Sequence, residues 1–343
     1  RVLFRSPEQI LYTVNHAKDT VLLAHDDFAP LVKNFEGQTP TIQKVVRLTD
    51  SSASPVPEGV RFDVEYEALL AQGSGRHEPQ DFDENIRATT FYTTGTTGNP
   101  KGVYFSQRQI VLHTLGLGLG LTSAEEQGRL HVGDVYMPIT PMFHVHAWGM
   151  PFVATLLGVK QIYPGRYEPA RLLRLIDQER VTFSHCVPTI LHMLLSDPLA
   201  EQIDLSRWKV IIGGSALPPA LARRARDKGI DVFGGYGMSE TGPVLTLAQV
   251  DLNSVSAGDP DHLMIRSKAG RPVPLVDLKV ADPDLNEVAR DGESTGEVIV
   301  RAPWLTQGYL DDPERSEELW QGGYLHTGDI GHVDPAGYLK VTD

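Results

Sequence analysis

The chain has 343 residues, 41% of them hydrophobic, which is enough for a large core in more than one subdomain. A net charge of -13 disfavours a nucleic-acid or anionic-membrane partner, so an anionic ligand would need positive charge supplied locally. The lone Cys186 excludes an internal disulfide framework and suits a reducing cytoplasm, and no apolar run approaches the ~20 residues that span a bilayer.

The opening Arg-Val-Leu-Phe-Arg-Ser corresponds to one frame of a common sequencing adapter. Residues 1–6 are therefore expected to be an artefact, and both chain ends truncations. Residues 7–17 read as a helix, 20–24 as a strand, 25 onward as a second helix and 44–48 as a strand. This is the α/β alternation of a parallel sheet. A Ser/Pro-rich loop at 51–59 and a polar connector at 72–83 lead into residues 88–113, the stretch around which the chain is organised.

There, residues 89–93 are β-branched and aromatic, as a buried strand should be. Thr93-Thr-Gly-Thr-Thr-Gly-Asn-Pro-Lys-Gly102 follows. Gly95, Gly98 and Gly102 let backbone N–H groups approach an anion closely. Thr93, Thr94, Thr96 and Thr97 add hydroxyl donors, and Lys101 adds a full positive charge. Polyphosphate is the expected guest. An ordinary Gly/Thr surface turn is the alternative, and the strand before the loop and the Pro-Lys-Gly after it weigh against that. The loop is not that of the P-loop NTPases, because Gly102 rather than Ser or Thr follows Lys101.

Ser106 is the expected N-cap of a helix over 107–115. Residues 134–140 form a strand that delivers Pro141-Met-Phe-His-Val-His-Ala-Trp-Gly-Met150. His144 and His146 could ligate a metal from one strand face, but no neighbouring carboxylate or cysteine completes a site. Phe143 is expected to be a core aromatic. Residues 168–179 form an amphipathic helix with Leu172, Leu173 and Ile176 on one face. A strand at 181–187 holds Cys186 as a small core residue, and the apolar helix at 188–195 either packs the core or walls an apolar tunnel.

A strand at 208–212 runs into Gly213-Gly214-Ser-Ala, then into a helix entered through Pro218 and Pro219 and closed by Gly229. Bare backbone at such a strand end accepts a planar ligand. The strand at 230–233 ends in a glycine-rich turn, Gly234-Gly-Tyr-Gly-Met-Ser-Glu-Thr-Gly242. Tyr236 offers a ring face for adenine, Glu240 a hard carboxylate for Mg2+, and Ser239 and Thr241 donors for phosphate. From about 245 the pattern becomes short strands at 275–280, 296–301, 331–333 and 338–341, with a hairpin turn at 334–337. A β-rich subdomain over 245–343 is expected beside α/β subdomains over 7–244. It carries Gly323-Tyr-Leu-His-Thr-Gly-Asp329, whose Asp329 can accept from two ribose hydroxyls, although Thr-Gly-Asp alone is a common turn.

These three signatures, in this order, resemble those of the adenylate-forming superfamily of acyl-CoA synthetases, luciferases and peptide-synthetase adenylation domains. Residues 141–150, Val187-Pro-Thr-Ile-Leu191 and Ala302-Pro-Trp-Leu-Thr-Gln-Gly-Tyr309 are similar to bacterial medium- and long-chain fatty-acyl-CoA ligases, the medium-chain type foremost. The resemblance implies the large N-terminal domain of such an enzyme: paired α/β sheet subdomains plus a smaller antiparallel, β-barrel-like subdomain. It implies ATP, Mg2+ and CoA, a fatty acid as substrate and a cytoplasmic ligase, and it is compatible with a homodimer.

By that resemblance the 93–102 loop, with Thr94, Gly95, Thr96, Thr97, Gly98 and Lys101, holds the β- and γ-phosphates. Glu240 and Thr93 attend Mg2+, and Ser239 and Thr241 attend the α-phosphate. Gly214, Gly234, Gly235 and Tyr236 border adenine, and Asp329 holds ribose. His144 lies by the acyl carboxylate, and Trp148 gates the acyl tunnel. Two positions depart from the pattern. Gln107 stands where relatives usually carry His, and Gly234 where many carry an amide, which puts any side-chain contact from 234 to adenine in doubt.

Family members continue with an Arg-x-x-Lys hinge and a small C-terminal domain bearing the adenylation lysine. That domain is absent from a chain ending at Asp343, so the polypeptide is expected to bind nucleotide weakly and to catalyse the full reaction poorly or not at all. A non-catalytic nucleotide- or acyl-binding module, and a CoA ligase for a short thio- or branched acid, are the alternative readings.

Overall fold

The computed structural model describes residues 6–51, 53–93, 99–125, 127–250 and 262–343. The chain groups into two compact units, one of residues 1–83 and 92–102, the other of residues 84–91 and 103–343.

In the first unit, strands Val21–His25, Lys44–Leu48 and Val64–Glu65 form a parallel sheet. The helix Pro7–Ala17 starts at Ser6, whose hydroxyl accepts from Gln9 N, and stops at Lys18, whose left-handed conformation ends the helix. Buried Arg47 clasps Asp26 through two hydrogen bonds of 2.7 and 2.8 Å, and the guanidinium holds the Asp26 carboxyl below its ordinary pKa.

The second unit is built on a seven-stranded sheet. Its order is Arg271–Pro272, Val244–Leu247, Asp231–Gly237, Lys209–Ile212, Phe183–Cys186, Val135–Pro138 and Lys160–Gln161. The last five run parallel, and the first two pair antiparallel to their neighbours. Helices Pro169–Gln178, Pro188–Ser196 and Pro219–Asp227 bury Leu172, Leu191, Leu194 and Ala222 against Met137, Val210 and Val232. Full burial of such aliphatic side chains stabilises by roughly 1.5–3 kcal/mol each. The expected Leu172, Leu173 and Ile176 face is the buried one.

An antiparallel four-stranded sheet follows in the same unit: Asp277–Ala281, Gly296–Arg301, Leu325–Val333 and Leu339–Val341. Asp334 O accepts from Gly337 N at 2.9 Å in the expected hairpin turn. Strands Arg87–Thr93 and Lys101–Ser106 pair as a separate ribbon. Among the described residues no helix is long and apolar enough to cross a membrane.

Four local expectations need correction. The helix after Ser106 runs over Gln107–Thr122, past the expected end at 115. Its glycines are packing positions rather than a stop: a Cβ on Gly116 would lie 2.7 Å from the Trp304 ring. The strand at 230–233 continues as Asp231–Gly237, with Tyr236 opposite Thr246, so Tyr236 sits on a strand rather than in a turn. Glycine is required there by close approach, since a Cβ on Gly237 would meet Pro243 O at 1.8 Å.

The strand expected at 331–333 starts at Leu325 and includes Asp329. Between the pairs Ile299–His326 and Glu297–Ile330 the register shifts, so Val298 alone faces residues 327–329. That bulge pushes Asp329 out of the ladder. Finally, Phe143 is 59% exposed, whereas Trp148 is 5% exposed. Val145, His146, Ala147 and Trp148 all take positive φ, from 47° to 61°, so the chain reverses hand between the two aromatics.

Candidate functional site

Two strands from different sheets meet in the second unit. Tyr236 Oη donates to Asp329 Oδ2 at 2.6 Å. The bulge makes this contact available: Thr327 Oγ1 donates to Val298 O at 2.7 Å and accepts from Asp329 N at 3.1 Å, holding the carboxylate up. Burial first, then the Asp329 bond, raises the pKa of the Tyr236 phenol, which therefore remains a donor at neutral pH.

Beside Tyr236 lies the glycine turn that follows the strand Lys209–Ile212. A Cβ on Gly213 would lie 3.0 Å from the Trp148 ring and 3.1 Å from Gly235 O. Bare backbone thus separates Trp148 from residue 235, and Gly214 turns the chain away with φ +75°. Gly234 has no room for a side chain, because a Cβ there would meet Lys268 O at 2.2 Å. An amide side chain at this position would require the 268 backbone to move.

The Trp148 indole lies over His185, with ring centroids 4.8 Å apart. His185 is clamped on both sides: Tyr136 Oη is 2.7 Å from Nε2, and Thr140 Oγ1 is 3.0 Å from Nδ1. Burial pushes the His185 pKa down to about 3, so its imidazole is neutral at pH 7. Burial also lowers His113 to about 3 and His146 to about 4.

His146 contacts Thr89 Oγ1 at 3.1 Å and sits edge-on to Phe91 and Phe152. The left-handed turn therefore sends His146 toward the strand Arg87–Thr93, while His144 stays exposed. Four non-glycine residues in that conformation cost about 1–2 kcal/mol each, a strain that the buried Trp148 and His146 contacts must offset. No three His, Cys, Asp or Glu side chains among the described residues gather as a metal-binding group.

The turn after Gly237 carries Glu240, which is only 6% exposed. Its Oε1 accepts from Tyr309 Oη at 2.9 Å, and its carbonyl accepts from Thr306 N at 3.0 Å. The Thr241 carbonyl accepts from Trp304 Nε1 at 3.0 Å. The Thr241 hydroxyl is fully buried and engaged within the turn, accepting from Met238 N and lying 2.5 Å from Pro243 O. Ser239 is half-buried on the same turn, and its hydroxyl makes no hydrogen bond among the described residues.

Residues 304–309 also grip the ribbon strand: Thr306 Oγ1 donates to Tyr104 O at 2.8 Å, and Tyr309 bridges Val103. One segment therefore holds both the Glu240 turn and the strand that follows the Thr/Gly loop. Tyr309 and Trp304 have no distinguishing local pattern in the sequence. The run Trp-Leu-Thr-Gln-Gly-Tyr was the only signal, and it said nothing of Glu240. An open cleft of about 680 Å3, lined by Tyr104, Gln307, Asp312, Glu317 and Trp320, shares Tyr309 with the site.

The structure thus brings Trp148, Gly214, Gly235, Tyr236, Ser239, Glu240, Thr241 and Asp329 into neighbouring turns and strands of one unit. Thr93 closes the strand Arg87–Thr93 and Lys101 opens Lys101–Ser106, and both are grouped with the first unit. Thr94, Gly95, Thr96, Thr97 and Gly98 lie outside the described residues.

Residues 5–310 match the family described as AMP-binding enzyme. The chain is 39% identical over 345 residues to the long-chain-fatty-acid–CoA ligase of Thermus thermophilus, across 98% of this chain and 60% of that protein. It is 34% identical to the 3-methylmercaptopropionyl-CoA ligase of Ruegeria pomeroyi, across 98% of this chain and 62% of that one. To the medium-chain-fatty-acid–CoA ligase of Ectopseudomonas oleovorans it is 33% identical, across 98% and 61%. The fold is similar to the N-terminal domain of FACL13 from Mycobacterium tuberculosis, with a TM-score of 0.81, 23% identity and coverage of 99% of this chain and 78% of that one. The chain spans about three-fifths of the length of the curated relatives it matches.

Proposed function

We propose that this chain, which belongs to the AMP-binding enzyme family, is the nucleotide- and acyl-binding part of an AMP-forming acyl-CoA ligase. In that reaction a carboxylate attacks the α-phosphorus of ATP, giving acyl-AMP and pyrophosphate, and the CoA thiol then displaces AMP. The first step requires in-line positioning and electrostatic stabilisation, with no protein nucleophile. The observation that carries the reading is the 2.6 Å bond from Tyr236 to Asp329, which unites an aromatic face with a carboxylate from another sheet. Adenine lies against Tyr236 and the bare backbone of Gly214 and Gly235, and Asp329 takes the ribose hydroxyls.

The Thr/Gly loop with Lys101 takes the β- and γ-phosphates. Ser239 suits the α-phosphate better than Thr241, whose hydroxyl is engaged within its own turn. Glu240 fits a divalent cation: its Oε2 has no partner among the described residues, and Mg2+ is usually bound by one or two carboxylates plus substrate phosphates. Thr93 is the second residue for that ion. Mg2+ there neutralises charge on the phosphate oxygens. Trp148 gates the acyl path, with His144 beside the entering carboxylate.

The long-chain, medium-chain and methylmercaptopropionyl relatives leave the acid undecided among fatty and short thio acids. The sequence signals 141–150 and 302–309 favour a medium- or long-chain fatty acid. Pyrophosphate exchange by the full-length gene product decides the matter, run with octanoate, palmitate and 3-methylmercaptopropionate. Exchange with octanoate or palmitate is the expected result. Exchange with the short thio acid alone reverses the substrate assignment, and nucleotide binding without exchange on any acid favours a non-catalytic module.

A further inference from the structure

We propose that Tyr309 is a positioning residue for Glu240, holding one carboxylate oxygen so that the other serves the phosphate-bound divalent cation. The inference rests on the ligase reading above but concerns a residue that reading does not use.

A buried carboxylate needs hydrogen bonds, and any group it uses for that purpose decides how it can turn. Glu240 Oε1 accepts from the Tyr309 phenol at 2.9 Å, while its own backbone carbonyl accepts from Thr306 N at 3.0 Å. Both ends of the residue are therefore gripped by one segment. Tyr309 is itself fixed: its N–H donates to Ser316 Oγ at 2.8 Å, and it bridges Val103. An ionised carboxylate can only accept and the phenol O–H donates, so this bond has one sense.

With Oε1 so occupied, Oε2 is the oxygen left for an ion. A free glutamate would present either oxygen through several rotamers, and fixing one geometry removes that entropy from the binding step. The tie from Thr306 Oγ1 to Tyr104 O gives the arrangement a second consequence. The segment that orients Glu240 also holds the strand residue Tyr104, so one stretch of backbone anchors both.

The test uses the whole chain and Mn2+ as probe, titrated by electron paramagnetic resonance with and without ATP. Tyr309→Phe keeps the ring and removes only the donor. The expected result is Mn2+ affinity in the ATP complex about ten-fold weaker, with metal-free ATP affinity close to wild type. Glu240→Gln, the reference variant, abolishes the ATP-dependent Mn2+ site. Tyr309→Met lacks any donor and must give the same loss, which covers a phenylalanine variant that does not fold. Unchanged Mn2+ affinity in Tyr309→Phe or Tyr309→Met, with the site lost in Glu240→Gln, overturns the role of Tyr309 and leaves the ligase reading intact. If Glu240→Gln retains the site, or wild type shows no ATP-dependent Mn2+ binding, the cation reading of Glu240 fails and the proposal with it.

Discussion

Tyr236 donates its phenolic proton to Asp329 across 93 positions of sequence, joining the seven-stranded sheet to the four-stranded one. The bond matters because it fixes a planar ring and a carboxylate at one separation. Asp329→Ala removes the acceptor and leaves the bulge. We expect the wild-type preference for ATP over 2′-deoxy-ATP, measured by calorimetry, to disappear in that variant, with ATP itself bound about ten-fold more weakly. A variant that still distinguishes the two nucleotides would remove Asp329 from the ribose.

Gly116 and Gly118 are neighbours on one helix with opposite constraints. A Cβ at 116 would meet the Trp304 ring at 2.7 Å, whereas one at 118 finds Val153 at an ordinary 3.6 Å. Gly116→Ala should cost about 1–3 kcal/mol by overpacking and lower the thermal midpoint. Gly118→Ala should be neutral or stabilising by up to about 1 kcal/mol, because helical glycine is entropically costly. Equal midpoints for the two variants would refute the packing account of the glycine-rich helix.

Stability should fall on mild acidification, and the direction follows from the buried histidines. Burial depresses the folded pKa of His185 to about 3 from its ordinary 6.5, so the unfolded chain binds the extra proton. Its contribution is full above about 6.5 and is lost as pH falls toward about 3. Within that window each such histidine adds up to about 1.4 kcal/mol per pH unit to the slope of unfolding free energy. His185→Gln should flatten the slope between pH 6.5 and 5 by about that amount, whatever its effect on absolute stability. Denaturant titrations across the window check it, and an unchanged slope would count against a neutral buried imidazole.

Cys186 is fully buried, and burial pushes its thiol up to about 12. We expect no reaction with Ellman's reagent in native buffer at pH 7.5 and one equivalent released on denaturation. Rapid native labelling would mean that the strand Phe183–Cys186 opens readily.

Much of this protein was determined by its sequence read locally. The helix Pro169–Gln178, the strand Gly296–Arg301 and the capping of Gln107–Thr122 by Ser106 all follow from burial period, β-branching and side chains that complete terminal N–H groups. Such signals lie within a few residues of the structure they specify, so a window of sequence contains their whole cause. The three signatures were legible for the same reason, each being a short stretch whose chemistry is carried by adjacent residues.

Tertiary structure decided what those stretches do to one another. Phe143 and Trp148 are five positions apart in the same apolar run, yet a left-handed turn exposes one and buries the other. The glycines at 116 and 120 look like a helix end until Trp304 and Pro274 are seen against them. Tyr309 looks like one more aromatic until its hydroxyl is found on Glu240, 69 positions away. These outcomes depend on which surfaces meet when separate elements pack, and a residue's own neighbours in sequence contain no information about a partner that arrives from another sheet.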